Sequence, residues 1–88
     1  MTETLAARIR ELGSGFVGRL DDSVLESAIE YVDFNEWGLA LEMLCDQLYE
    51  FEVHIQESEL REIETLADEM HLDPKRVVVL RELVIPTD

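Results

Sequence analysis

The run DFNEWG, residues 33–38, sets Asp33, Asn35 and Gly38 at the first, third and sixth positions of a calcium-binding loop. The fifth position is then Trp37, and the twelfth, which needs a bidentate Glu, is Leu44, so the ligand set is incomplete. Asp68 and His71 stand three apart, on one helical face, but a di-metal bundle takes a Glu-x-x-His from each of two helices and more inward carboxylates. His54 falls in a connector and reads as a surface residue. Cys45 shares an arc with Leu41, Leu44 and Leu48, the setting of a buried, inert thiol; a nucleophile needs exposure and a neighbouring cation or base. The glycines of GSGFVG, residues 13–18, follow no strand and lack the Lys-Ser/Thr pair that holds phosphate. These residues predict no catalytic site, no metal and no cofactor, so the chain reads as a binding protein and not as an enzyme.

The chemistry that remains is charge. The 88 residues carry a net charge of −14, and it is unevenly placed. Residues 1–20 and 74–88 each balance at +1, whereas residues 21–73 hold seventeen acids against Arg61 alone, a balance of −16. Such a distribution excludes a nucleic-acid binder, which needs a basic patch. Within EWGLALEMLCDQLYEFE, residues 36–52, Glu42, Asp46 and Glu50 recur every helical turn. Like charges at that spacing repel by about 0.2–0.5 kcal/mol per pair. Glu26, Glu30 and Asp33 cluster on the flank of the preceding helix in the same way. A cationic partner would relieve both sets, and acids around apolar anchors would steer it in.

The elements that must carry these residues are helical. Apolar residues recur at three and four throughout. Leu5, Ile9 and Leu12 make one side of a short helix in TETLAARIREL, starting at Thr2, which the glycines of residues 13–18 break. Ser23 with Glu26 has capping-box spacing and opens a second helix, to about Phe34, with Leu25, Ala28, Ile29 and Val32 inward. A third helix runs from about Glu36 to Glu52, with Trp37, Leu41, Leu44, Cys45, Leu48 and Phe51 on one arc. Leu39 and Met43 fall on its far side and Tyr49 at the boundary, so Leu39 and Met43 either pack under a neighbour or anchor an interface. Leu60, Ile63, Leu66, Ala67 and Met70 line a fourth helix over about 57–71. Asp73 as N-cap and Pro74 start a fifth, which ends before Pro86; VVVL at 77–80 is β-prone and leaves helix or strand open there. The expected architecture is all-α, a compact bundle of four to five short helices forming a single domain over residues 1–88. One cysteine, a start without signal-peptide pattern and no long apolar run point to a reduced, cytoplasmic protein without a membrane span.

The segment YVDFNEWGLALEMLCDQLYEFEVHI, residues 31–55, resembles the MafI-like family of bacterial immunity proteins, and the similarity continues through ELREIETLADEMHLDP, residues 59–74. The specific part matches at Glu36, Trp37, Gly38, Leu39, Leu41, Glu42, Leu44, Asp46, Gln47, Leu48, Tyr49 and Glu50. The resemblance implies a small cytoplasmic protein that binds and neutralises the toxin domain of a cognate polymorphic toxin, frequently a nuclease. A nuclease surface is basic because it must hold phosphates, and an acidic protein can occupy it. The expected toxin-binding residues are Glu26, Glu30, Asp33, Leu39, Glu42, Met43, Asp46, Tyr49 and Glu50, with no direct contact to nucleic acid. The alternative is an acidic adaptor or nucleic-acid mimic that occupies a basic host protein.

Overall fold

A computed structural model describes residues 3–86. The chain forms an all-α bundle of short helices: α1 (Leu5–Ser14), α2 (Asp22–Asp33), α3 (Trp37–Glu50), α4 (Glu57–Glu69) and the single turn α5 (Lys75–Val78), which runs into a 3-10 turn at Val79–Leu83. Each of the four longer helices hides one apolar stripe, and α3 lies at the centre, against α1, α2, α4, α5 and the 3-10 turn. Leu41, Leu44, Cys45 and Leu48 of α3 are buried with Ile9, Ala28, Ile63 and Leu66 from the surrounding helices. Phe16, from the glycine segment, is completely buried and plugs the end of this core.

The helix starts differ from expectation at α1, α2 and α5; at α5 the cap position falls to Pro74 and the helix begins at Lys75, whose amide donates to the Asp73 carboxylate. Thr2 lies outside the described residues; α1 begins at Leu5, where the Thr4 side chain accepts from the Ala7 amide. The cap of α2 is Asp21, not Ser23. Its carboxylate accepts the Ser23 and Val24 amides and the Ser23 hydroxyl. Asp21 stands two and three residues before those amides, the spacing a cap needs, and its charge meets the positive end of the helix dipole. The Ser23 hydroxyl then holds the Asp21 carboxyl below its ordinary range, with the two amides adding to the effect.

The helix ends share one device. After α2, α3 and α4 the residues Asn35, Glu52 and His71 take left-handed backbone, with φ of 60°, 49° and 56°. At each, two amides turn back. Asn35 donates to Val32 and Glu36 to Tyr31; Glu52 to Tyr49 and Val53 to Leu48; His71 to Asp68 and Leu72 to Ala67. This is the Schellman arrangement, which satisfies the orphan carbonyls of a helix end, here built without glycine. The placement of Phe51 is also corrected. Phe51 stands at the end of α3, beyond buried Leu48, and is exposed instead of inward.

VVVL at 77–80 is helical, split between α5 and the 3-10 turn. Extended pairing among the described residues is confined to isolated bridges; at one, Ile55 donates to Leu83 and Ile85 donates to Ile55. No described helix is long and apolar enough to cross a membrane.

Candidate interaction surface

The ion pairs decide how much of the acidity is left for a partner. Arg8 of α1 reaches Glu62 at 2.8 Å and Glu69 at 2.7 Å on α4. Arg10 pairs with Asp33, Arg19 with Glu59, and Arg81 with Glu57, which Arg61 also approaches at 3.8 Å. Arg76 contacts Glu42 and Asp46, each at 3.1 Å. Lys75 alone of the seven cations makes no ion pair among the described residues. The balanced ends of the sequence thus fold over its acidic middle.

This corrects the reading of the α3 stripe. The repulsion between Glu42 and Asp46 is relieved within the chain, by Arg76 of α5. Hydrogen bonding to Asp46 and then the charges of Asp46 and Glu42 raise the pKa of that guanidinium. Glu50 lies apart, beside Tyr49, Glu52, Glu82 and Leu83, where the Tyr49 hydroxyl donates to Glu82 at 3.4 Å.

The acids of α2 are placed otherwise. Glu26, Glu30 and Asp33 rim a cleft of about 570 Å³ between α1 and α2, opposite Arg10 and Ser14, over a floor of Gly13, Leu25 and Ile29. The helices approach closely here. A Cβ at Gly13 would stand 2.7 Å from the tip of Ile29. Arg10 neutralises Asp33, while Glu26 and Glu30 make no ion pair among the described residues. On the other flank of α2 a second cleft, of about 330 Å³, is lined by Ser27, Glu30, Tyr31, Phe34 and Met43. Glu30 belongs to both clefts and stands on the ridge between them.

Leu39 and Met43 prove unlike. Leu39 is 38% exposed and lines neither cleft, whereas Met43 is half-buried and packs against the core. Of the nine expected residues, Glu26, Glu30, Asp33 and Met43 gather around α2; Glu42 and Asp46 are held by α5; Tyr49 and Glu50 line a separate cleft with Glu82; and Leu39 lines neither α2 cleft. Phe34, 66% exposed, was not anticipated as a surface residue of this region. Its signal was available: two residues beyond inward Val32, it is rotated about 200° away from the core.

Other chemistry is sparse. Burial, with the Asp46 charge second, pushes the Cys45 thiol up to about 12. No group of three metal-ligating side chains occurs among the described residues. Free acids also stand on α4, where Glu64 and Asp68 border a smaller cleft of about 250 Å³. Comparison with protein-family models, with curated proteins and with solved structures finds no match.

Proposed function

We propose that this protein is a non-catalytic inhibitor of the immunity type, which neutralises a cognate toxin domain by covering a basic surface of it. The observation that carries this reading is the acidity left over after internal pairing. The chain holds twenty-one acids against seven cations, and Glu26 and Glu30 make no ion pair among the described residues beside clefts that carry apolar side chains. Carboxylates around apolar anchors suit a cationic protein surface. Steering speeds the encounter, and apolar contact at the centre slows release. A nuclease domain presents such a surface because it holds phosphates. The same charge repels nucleic acid itself, so the partner is protein. The resemblance of residues 36–50 to the MafI-like proteins supports the toxin class, and a lone reduced cysteine suits work in the cytoplasm.

Co-expression tests the reading. The C-terminal domain of a secreted protein encoded directly upstream should be toxic alone, tolerated with this protein, and recovered with it in a stable complex. Failure of both rescue and complex formation overturns the reading. Capture of a host DNA-binding protein alone would favour an acidic mimic instead.

A further inference from the structure

We infer that the docking surface is the ridge of α2 with its two clefts, and that its occupant is a cationic amphipathic helix of the partner. The inference rests on the proposed function for its biological setting but not for its physics. Two parallel features select α2. The cleft between α1 and α2 offers an apolar floor, Leu25 and Ile29, beneath a rim whose charges without an ion pair among the described residues, Glu26 and Glu30, are both negative. Arg10 closes the far end by pairing with Asp33, so the unneutralised rim is one helical turn long. The second cleft, across the ridge, adds the exposed ring of Phe34 and the half-buried Met43.

A third helix is the natural occupant of a groove between two helices, because side-chain ridges of one helix pack into the grooves of others. Aliphatic side chains at i and i+4 would rest on Leu25 and Ile29. Lys or Arg on the flanks of the same helix would meet Glu26 and Glu30, whose spacing of four residues matches one turn. The α3 stripe, by contrast, has Glu42 and Asp46 bridged by Arg76, which leaves that pair with a net charge of only −1. The α4 cleft below Glu64 and Asp68 has less than half the volume.

The probe is a synthetic amphipathic helical peptide of Lys and Leu, with a scrambled peptide of the same composition as control. Titration into labelled protein should shift the amides of Ser14, Glu26, Ile29, Glu30 and Phe34 first. The scrambled peptide should bind about tenfold more weakly. The pair Glu26→Lys/Glu30→Lys should weaken binding about tenfold, whereas Glu64→Lys/Asp68→Lys, an equal change of net charge, should weaken it less than about twofold. Ser14→Trp, which fills the first cleft without changing charge, should weaken binding as much as the α2 reversal. A melting curve for each variant excludes unfolding as the cause. Equal losses from the α2 and α4 reversals, or shifts spread over α3 and α5, would overturn the inference. Capture of the toxin domain separates the two levels. Undiminished capture by the α2 variant sinks the docking site and leaves the immunity reading standing. No capture by the unaltered protein, with peptide shifts still confined to α2, does the reverse.

Discussion

The Arg76 guanidinium grips the Asp46 carboxylate, with Nε 3.1 Å from one oxygen and 3.2 Å from the other, while its Nη1 lies 3.1 Å from Glu42. One cation of α5 therefore bridges two acids on successive turns of α3. A single-turn helix has no stability of its own. It is held by the burial of Val77 behind it, by buried Leu80 and Leu83 of the following turn, and by this bridge in front. The partners are exposed enough for solvent to screen them, so each pair adds only a modest contribution.

Reversal of that cation is thus the first prediction. Arg76→Glu should lower the urea midpoint, since it removes two attractions and adds two repulsions. Glu42→Lys/Asp46→Lys should do the same, and the triple variant should recover most of the loss. Urea unfolding of the four proteins measures the coupling. Additive losses would show that the bridge does not form.

Leu39 and Met43 should separate in stability. Leu39→Ala removes an exposed side chain and should change stability by less than about 0.5 kcal/mol. Met43→Ala opens a half-buried contact with the core and should lower it by about 1–2 kcal/mol, below the range for a fully buried Met. The same unfolding experiment reads both.

Cys45 should resist thiol reagents in the native state and react only on unfolding. Its sulfur is buried and its thiol is pushed up to about 12, so almost no thiolate exists at neutral pH. Cys45→Ser should cost about 1–3 kcal/mol by placing a hydroxyl in an apolar site. Labelling at a rate independent of denaturant would place the sulfur at the surface.

Acid should weaken the protein through a few identified carboxylates. Burial pushes the Glu59 carboxyl up, but the Arg19 side chain and the Gln56 amide pull it down further, leaving it below its ordinary value of 4.5. Arg81 likewise holds Glu57 down, as Ser23 does Asp21. A carboxylate lowered by folding lends stability above its unfolded pKa, and that stability is lost as pH falls through the folded pKa. Glu59→Gln should therefore be less stable than the natural chain by about 1–2 kcal/mol at pH 7. The gap should narrow steadily below pH 4.5. A gap that stays constant down to pH 3 would assign the loss to packing.

Much of this was legible from residue spacing. The stripes of Leu25, Ala28 and Val32 and of Leu41, Leu44 and Leu48 name their helices and their inward faces, and all six are buried. Spacing carries that information because burial on a helix depends on angle alone. It carried less where the answer depended on a distant residue. Nothing near Glu42 in the chain announces Arg76, thirty-four positions on. Asp21 and Ser23 are both good caps, and only geometry chooses between them. Ile29 was legible as inward, yet its tip reaches past Gly13 into the wall of a cleft, which no periodicity distinguishes from the core.

The left-handed residues that end α2, α3 and α4 have a practical consequence. Asn and His tolerate that backbone region better than Glu does, so Glu52 is strained there by about 1 kcal/mol and His71 by less. Replacing either with Gly relieves the strain, partly offset by the greater freedom of Gly in the unfolded chain. Neither position lines the α2 clefts. The protein can therefore be hardened for handling, crystallisation or use as an affinity reagent from its joints alone, with the α2 clefts left in their natural sequence.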